Sequence, residues 1–213
     1  MRPRPPSFAT AAWRRVVARL RPAPIDTVEA LQEFLEERAL LVAQKCAIDY
    51  CRGKTGLASH ALFTEKPFLD ALEVCRWESF TAVLADLIIL AETALRPHTA
   101  ADGRARLRDA LLALYGRVLQ RLPPVAHRPQ GWGDVIAAFR ERFNAACLRA
   151  PHRALDVADH SAKRLFETLP IHSRMREPDE EVIYGAVRFR MIAVNQQLQE
   201  RLDGAALARR LLA

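Results

Sequence analysis

The sequence predicts an all-α fold: an irregular bundle of six or seven helices with a short basic amphipathic helix at its N-terminus. Three observations carry this expectation. Apolar residues recur at helical spacing along most of the 213-residue chain. Proline and glycine punctuate those periodic stretches, and no segment shows the sustained two-residue alternation of β-branched side chains that a half-buried strand would need. The expected organisation is a basic, partly disordered segment over residues 1–25 and a single helical domain over residues 26–213.

Residues Met1 to Pro6 are proline-rich and Phe8 to Leu20 reads as a short amphipathic helix. Asp26 and Glu29 form a capping box for a long helix that reaches about Arg52, with Gly53 as its left-handed terminator. Pro67 opens a second long helix, ending near Leu95 ahead of Pro97. Helices follow at about Gly103 to Arg121, Asp134 to Leu148, Leu155 to Thr168 and Pro178 to Leu202, then a tail helix from Ala205 to Leu212. The run FTAVLADLIILAETAL spans about 16 residues and contains Asp86 and Glu92, short of the ~20 apolar residues that cross a bilayer. It reads as a buried helix.

The net charge of +7 is concentrated at the front, where the first 25 residues hold six arginines and no acid. The remaining body is nearly balanced. The scarcity of lysine beside abundant arginine and alanine predicts a GC-rich bacterial genome. Four cysteines occur without a CxxC pair, and three lie in apolar helical patterns, which predicts reduced, buried thiols and a cytoplasmic setting.

Several chemistries are disfavoured by spacing. The Gly53-Lys54-Thr55 triplet suggests a phosphate loop, but the position of the first glycine in GxxxxGK[ST] is Ile48 and the preceding segment is helical rather than a strand. It is read as a helix end with a solvated Lys54. No Glu-x-x-His or HExxH spacing is present, and the lone Asp156/His160 pair falls short of the three or four ligands a zinc site takes. His98, His127, His152 and His172 fall in expected loops and are read as solvated. No GxSxG elbow occurs. No catalytic residue, metal or cofactor is therefore assigned.

Two features invite a site. On a helical wheel the first long helix places Arg38, Lys45 and Asp49 with its apolar residues, and the second adds Glu73, Arg76 and Asp86. These six are the candidate buried polar cluster or pocket, since buried charges must find partners or line a cavity. The second feature is the N-terminal helix, which gathers Trp13, Val16, Val17 and Leu20 on one side and turns Arg14, Arg15, Arg19 and Arg21 away. A Trp-bearing apolar face with flanking arginines suits docking on an anionic membrane or a protein partner. A nucleic-acid reading of the Pro178 helix, through Arg188, Arg190 and its amides, is diluted by Glu180, Glu181 and Glu200.

The stretches VAQKCAIDYCRGKTG, RWESFTAVLADL and LPIHSRMREPDEEVIYGAVRFR resemble a family of small all-helical bacterial proteins without an established role, some of which carry the label esterase. The resemblance covers roughly Leu31 to Leu90 and Leu169 to Leu202. It implies that the paired long helices and the Pro178 helix define the fold. It supplies no catalytic motif to carry onto this chain. The leading functional expectation is a non-enzymatic, partner-binding adaptor or assembly factor. A small-molecule enzyme, such as a hydrolase using the interior charges, and a nucleic-acid binder stand as alternatives.

Overall fold

The computed structural model describes residues 23–212, so the N-terminal docking helix expected at Phe8 to Leu20 lies outside the described residues. Seven helices of nine or more residues make up the described fold: α1 (Val28–Thr55), α2 (Lys66–Leu95), α3 (Arg104–Gln120), α4 (Gly133–Cys147), α5 (Ala154–Thr168), α6 (Glu180–Arg201) and α7 (Gly204–Leu212). The all-α bundle predicted from the sequence is what forms, and its helix ends shift by only a few residues.

Helix α2 is the axis of the bundle. From Glu78 to Glu92 every residue is buried, so this stretch is covered on all sides, as a helix that is apolar all round requires. It packs most extensively against α1 and α5, and α5 in turn packs against α6. No described helix is long and apolar enough to cross a membrane.

Two helix ends differ from the sequence expectation. The N-cap of α1 is Thr27, whose Oγ1 accepts from the Ala30 N–H at 3.1 Å; the Asp26/Glu29 box does not form. The helix continues through Gly53 to Thr55, and Gly56, with φ of 52°, is the residue that leaves the helical region. The extra turn carries Lys54 to Asp179 at 2.6 Å, where Tyr50 donates to the same carboxylate at 3.0 Å. Lys54 is thus a tie between the end of α1 and the start of α6, rather than a solvated side chain.

At the opposite end the chain before α1 is pinned to the end of α6. The Ile25 N–H donates to the Arg201 carbonyl at 2.8 Å and the Asp203 N–H donates to the Ile25 carbonyl at 3.0 Å. Gly204 then starts α7 so close to His98 that a Cβ there would lie 2.3 Å from the imidazole Cδ2. Any larger residue here would have to displace the exposed His98 ring. Cys46, Cys51 and Cys75 are buried free thiols, Cys147 is half-buried, and burial pushes all four thiols above their ordinary pKa.

Candidate functional site

The charges that α2 takes into the interior are Glu78, Asp86 and Glu92, and each meets its cation differently. Glu92 is satisfied locally: Arg96, one turn on, donates to both its oxygens at 2.9 and 2.7 Å. Asp86, with no solvent exposure, is reached from two other helices. Arg142 on α4 donates to its Oδ1 at 2.6 Å, the Ser161 N–H on α5 donates to its Oδ2 at 3.1 Å, and His160 Nδ1 stands 3.4 Å away.

Glu78 is the most heavily engaged. Arg128, in the loop before α4, donates to both its oxygens at 2.7 and 3.1 Å, His127 Nε2 lies at 3.1 Å, and Arg164 on α5 bonds Oε2. Burial alone would raise the Glu78 carboxyl, but the hydrogen bonds and charges of Arg128 and Arg164 outweigh it and hold the group below its ordinary value. Arg128 is held above its own usual value, first by the bond to Glu78. The carboxylate is a fixed anion and the guanidinium a fixed cation.

Between α2, α4 and α5 these pairs border an open cleft of about 390 Å³. Its floor is Ala82 and Ala85 of α2, with Tyr115 of α3 and Phe139 of α4 beside them. The cleft hydroxyls are already engaged: Thr81 donates to the Glu78 carbonyl at 2.9 Å, and Tyr115 to the Thr81 carbonyl at 3.1 Å. Neither is placed beside a general base. Among the described residues, no group of three or more His, Cys, Asp or Glu side chains is arranged to hold a metal ion.

Of the six charges expected to share the interior, only Asp86 does. Lys45, Asp49 and Glu73 are exposed, and Arg38 and Arg76 are half-buried. The buried face of α1 runs through Leu31, Leu35, Ala39, Val42, Cys46 and Ala47, so its centre follows small residues that a wheel weighted on large ones passes by. Arg38 instead lies over the Phe34 ring at 5.5 Å. On α2 the phase is set by Phe68, Leu72, Cys75 and Ser79, which leaves Glu73 and Arg76 outside. The stretch through Phe80, Val83 and Leu87 that follows is buried all round and gives a helical wheel no phase.

Asp156 and His160, too few by themselves for a zinc site, do not face each other: Asp156 meets Arg153 at 3.3 Å while His160 faces Asp86. Two loop histidines read as solvated are engaged. His127 reaches Glu78, and His152 Nε2 is 3.0 Å from the Ala146 carbonyl.

A different kind of surface lies on the outer side of α6. Ile183, Val187, Met191, Val194 and Leu198 turn inward. On the opposite side Val182 is 67% exposed, Phe189 73% and Ile192 45%, with Gly185 open between them. Positions 182, 185, 189 and 192 follow the alternating three-and-four spacing of a helix-packing seam. Ion pairs flank it on both sides. Arg190 donates to Asp49 of α1 at 2.9 Å and Arg188 donates to Asp159 of α5 at 2.7 Å.

Set against protein-family models, curated proteins and solved structures, the chain matches none of them.

Proposed function

We propose that this is a non-enzymatic partner-binding protein, an adaptor or assembly factor, and that its partner lays an amphipathic helix along the outer face of α6. The observation that carries the reading is the exposed seam of Val182, Phe189 and Ile192. An isolated exposed apolar residue needs no explanation, but four seam positions in helical register over about 15 Å fit the groove that a second helix fills. The arginines beside the seam are neutralised by Asp49 and Asp159, which favours a protein helix over nucleic acid or an anionic lipid surface. Phe189, the largest and most exposed seam residue, is the expected anchor.

The enzyme alternative has less support. The interior carboxylates beside the cleft are held by arginines, Glu78 is kept ionised, and the nearby hydroxyls donate to backbone carbonyls, so His160, which lines the cleft beside Asp86, has no free hydroxyl or thiol in the lining to activate.

The test is recovery of partners from the native cell with full-length tagged protein, the Phe189→Ser/Ile192→Ser variant, and a form lacking residues 1–22, with helicity checked by circular dichroism. The reading expects one stoichiometric partner held by the full-length protein and lost by the double variant while the helices persist. Identical recovery with both would refute it. Loss only on deleting residues 1–22 would move the docking function to the basic N-terminal segment.

A further inference from the structure

We infer that the groove between α3 and α4 binds a small phosphomonoester, with its phosphate held between Arg117 and Arg140. This goes beyond the partner-binding reading and does not depend on it.

The groove follows from one face of each helix. Tyr115 of α3 and Phe139 of α4 pack with ring centroids 4.2 Å apart, and the residues that follow them, Gly116 and Arg140, both line the opening. Steps of four continue the two walls, through Leu112 and Gln120 on α3 and through Ile136 and Asn144 on α4. The space between them is about 580 Å³, within the range of small-ligand pockets. A glycine inside a helix is disfavoured against alanine, yet a Cβ at Gly116 would have open space within 4 Å, so packing between the helices does not require one there. The missing side chain leaves room beside Arg140.

Charge separates this groove from the α2/α4/α5 cleft. In the cleft Arg128, Arg142 and Arg164 are each bonded to a carboxylate of α2. In the groove Arg108, Arg117 and Arg140 face one acid, Asp109, so three cations against one carboxylate leave two positive charges unmatched. Asp109 stands beside Arg108 at 3.6 Å, beyond hydrogen-bond reach. Arg117 and Arg140 are exposed, and among the described residues neither has an ion-pair partner. The amides of Gln120 and Asn144 can donate or accept as a ligand requires.

The unmatched charge selects the ligand. A phosphomonoester carries between about one and a half and two negative charges near neutral pH, all on one centre, whereas a monocarboxylate would leave one cation unmatched. Guanidinium forks reaching from two walls suit a group that offers three terminal oxygens. Leu112, Ala113 and Ile136 supply apolar surface beside the arginines, where the organic body of the ester can lie.

The experiment titrates the full-length protein with phenyl phosphate and with benzoate, which share a ring and differ in the anion, by calorimetry and by amide chemical shifts in phosphate-free buffer. Phenyl phosphate is expected to bind about tenfold more tightly than benzoate and to shift amides of α3 and α4. Arg140→Gln should weaken it roughly tenfold. Arg104→Gln, which removes an exposed arginine of α3 outside the groove, should leave it unchanged. Ala113→Glu, at an exposed lining position, places a second acid beside the arginines and should abolish binding. Equal affinities for the two anions, equal losses from Arg140→Gln and Arg104→Gln, undiminished binding to the Ala113→Glu variant, or no binding of phenyl phosphate at millimolar concentration would each overturn the inference.

Discussion

The two flanks of the bundle treat their side chains in opposite ways. On the α4/α5 flank, the acids Glu78 and Asp86 of the central helix are enclosed, and cations from sequence-distant elements converge on them. On the α6 flank, Val182, Phe189 and Ile192 stand in water while the adjacent charges are paired among themselves. The first arrangement holds helices together: removing one partner leaves a buried charge without compensation. The second contributes little to the fold, because residues already exposed lose no burial when changed. Stability and partner binding should therefore separate cleanly between the flanks.

The largest effect is expected at Glu78. Its replacement by alanine removes the buried acceptor shared by Arg128 and Arg164, leaving Arg128 with Asp134, and should cost about 1.5–3 kcal/mol, measured as a fall in the urea midpoint at constant slope. Phe189→Ser, far more drastic chemically, should change stability by no more than about 0.5 kcal/mol. Similar losses at both positions would erase the contrast.

Acid titration sharpens the same point. The folded Glu78 carboxyl lies below its ordinary value, so its contribution is fully present above the unfolded glutamate pKa of about 4.3 and is lost as pH falls through the lower folded value. Urea midpoints followed from pH 6 to pH 3 should drop more steeply for the wild type than for Glu78→Gln. Parallel profiles would mean that the carboxylate is not held as described.

On the α6 flank, truncating the anchor Phe189 should weaken the partner complex by about 2 kcal/mol, roughly thirtyfold, by calorimetry or surface binding. The smallest effect concerns the ion pairs beside the seam. Arg190→Gln breaks a partly exposed contact to Asp49 and should cost less than about 1 kcal/mol of stability, read from the thermal midpoint. A loss as large as that of Glu78→Ala would show that the flanking pairs, not the interior ones, hold this side of the bundle.

The helices were legible because their signals are local: apolar periodicity and the positions of Pro67, Pro97 and Gly103 survive without knowledge of the tertiary fold. Asp86 was legible too, as an acid in the most apolar run with no cation one turn away. Its partner could not be read, since Arg142 lies 56 residues on and nothing local marks it. Glu78 went unnoticed for the same reason, with His127 and Arg164 lying 49 and 86 residues away. Lys45 and Asp49 were misplaced because the buried face of α1 turns on small residues such as Ala39, Cys46 and Ala47, and Glu73 because the run after it on α2 is buried all round and gives no phase. The seam on α6 was hidden by its own helix. With Ile183, Val187 and Met191 facing inward and Val182, Phe189 and Ile192 outward, only packing distinguishes core from surface.

The central claim, that the outer face of α6 meets a partner helix, is tested most directly by site-specific photocrosslinking in the native cell. A benzophenone side chain at Val182 is set against one at Glu167 on the cleft flank, where the native carboxylate meets Lys163 and Arg164 only at 3.9 and 3.8 Å. The account predicts one discrete crosslinked protein from position 182 and none from position 167. No crosslink at 182, or the same crosslinks from both positions, would contradict it.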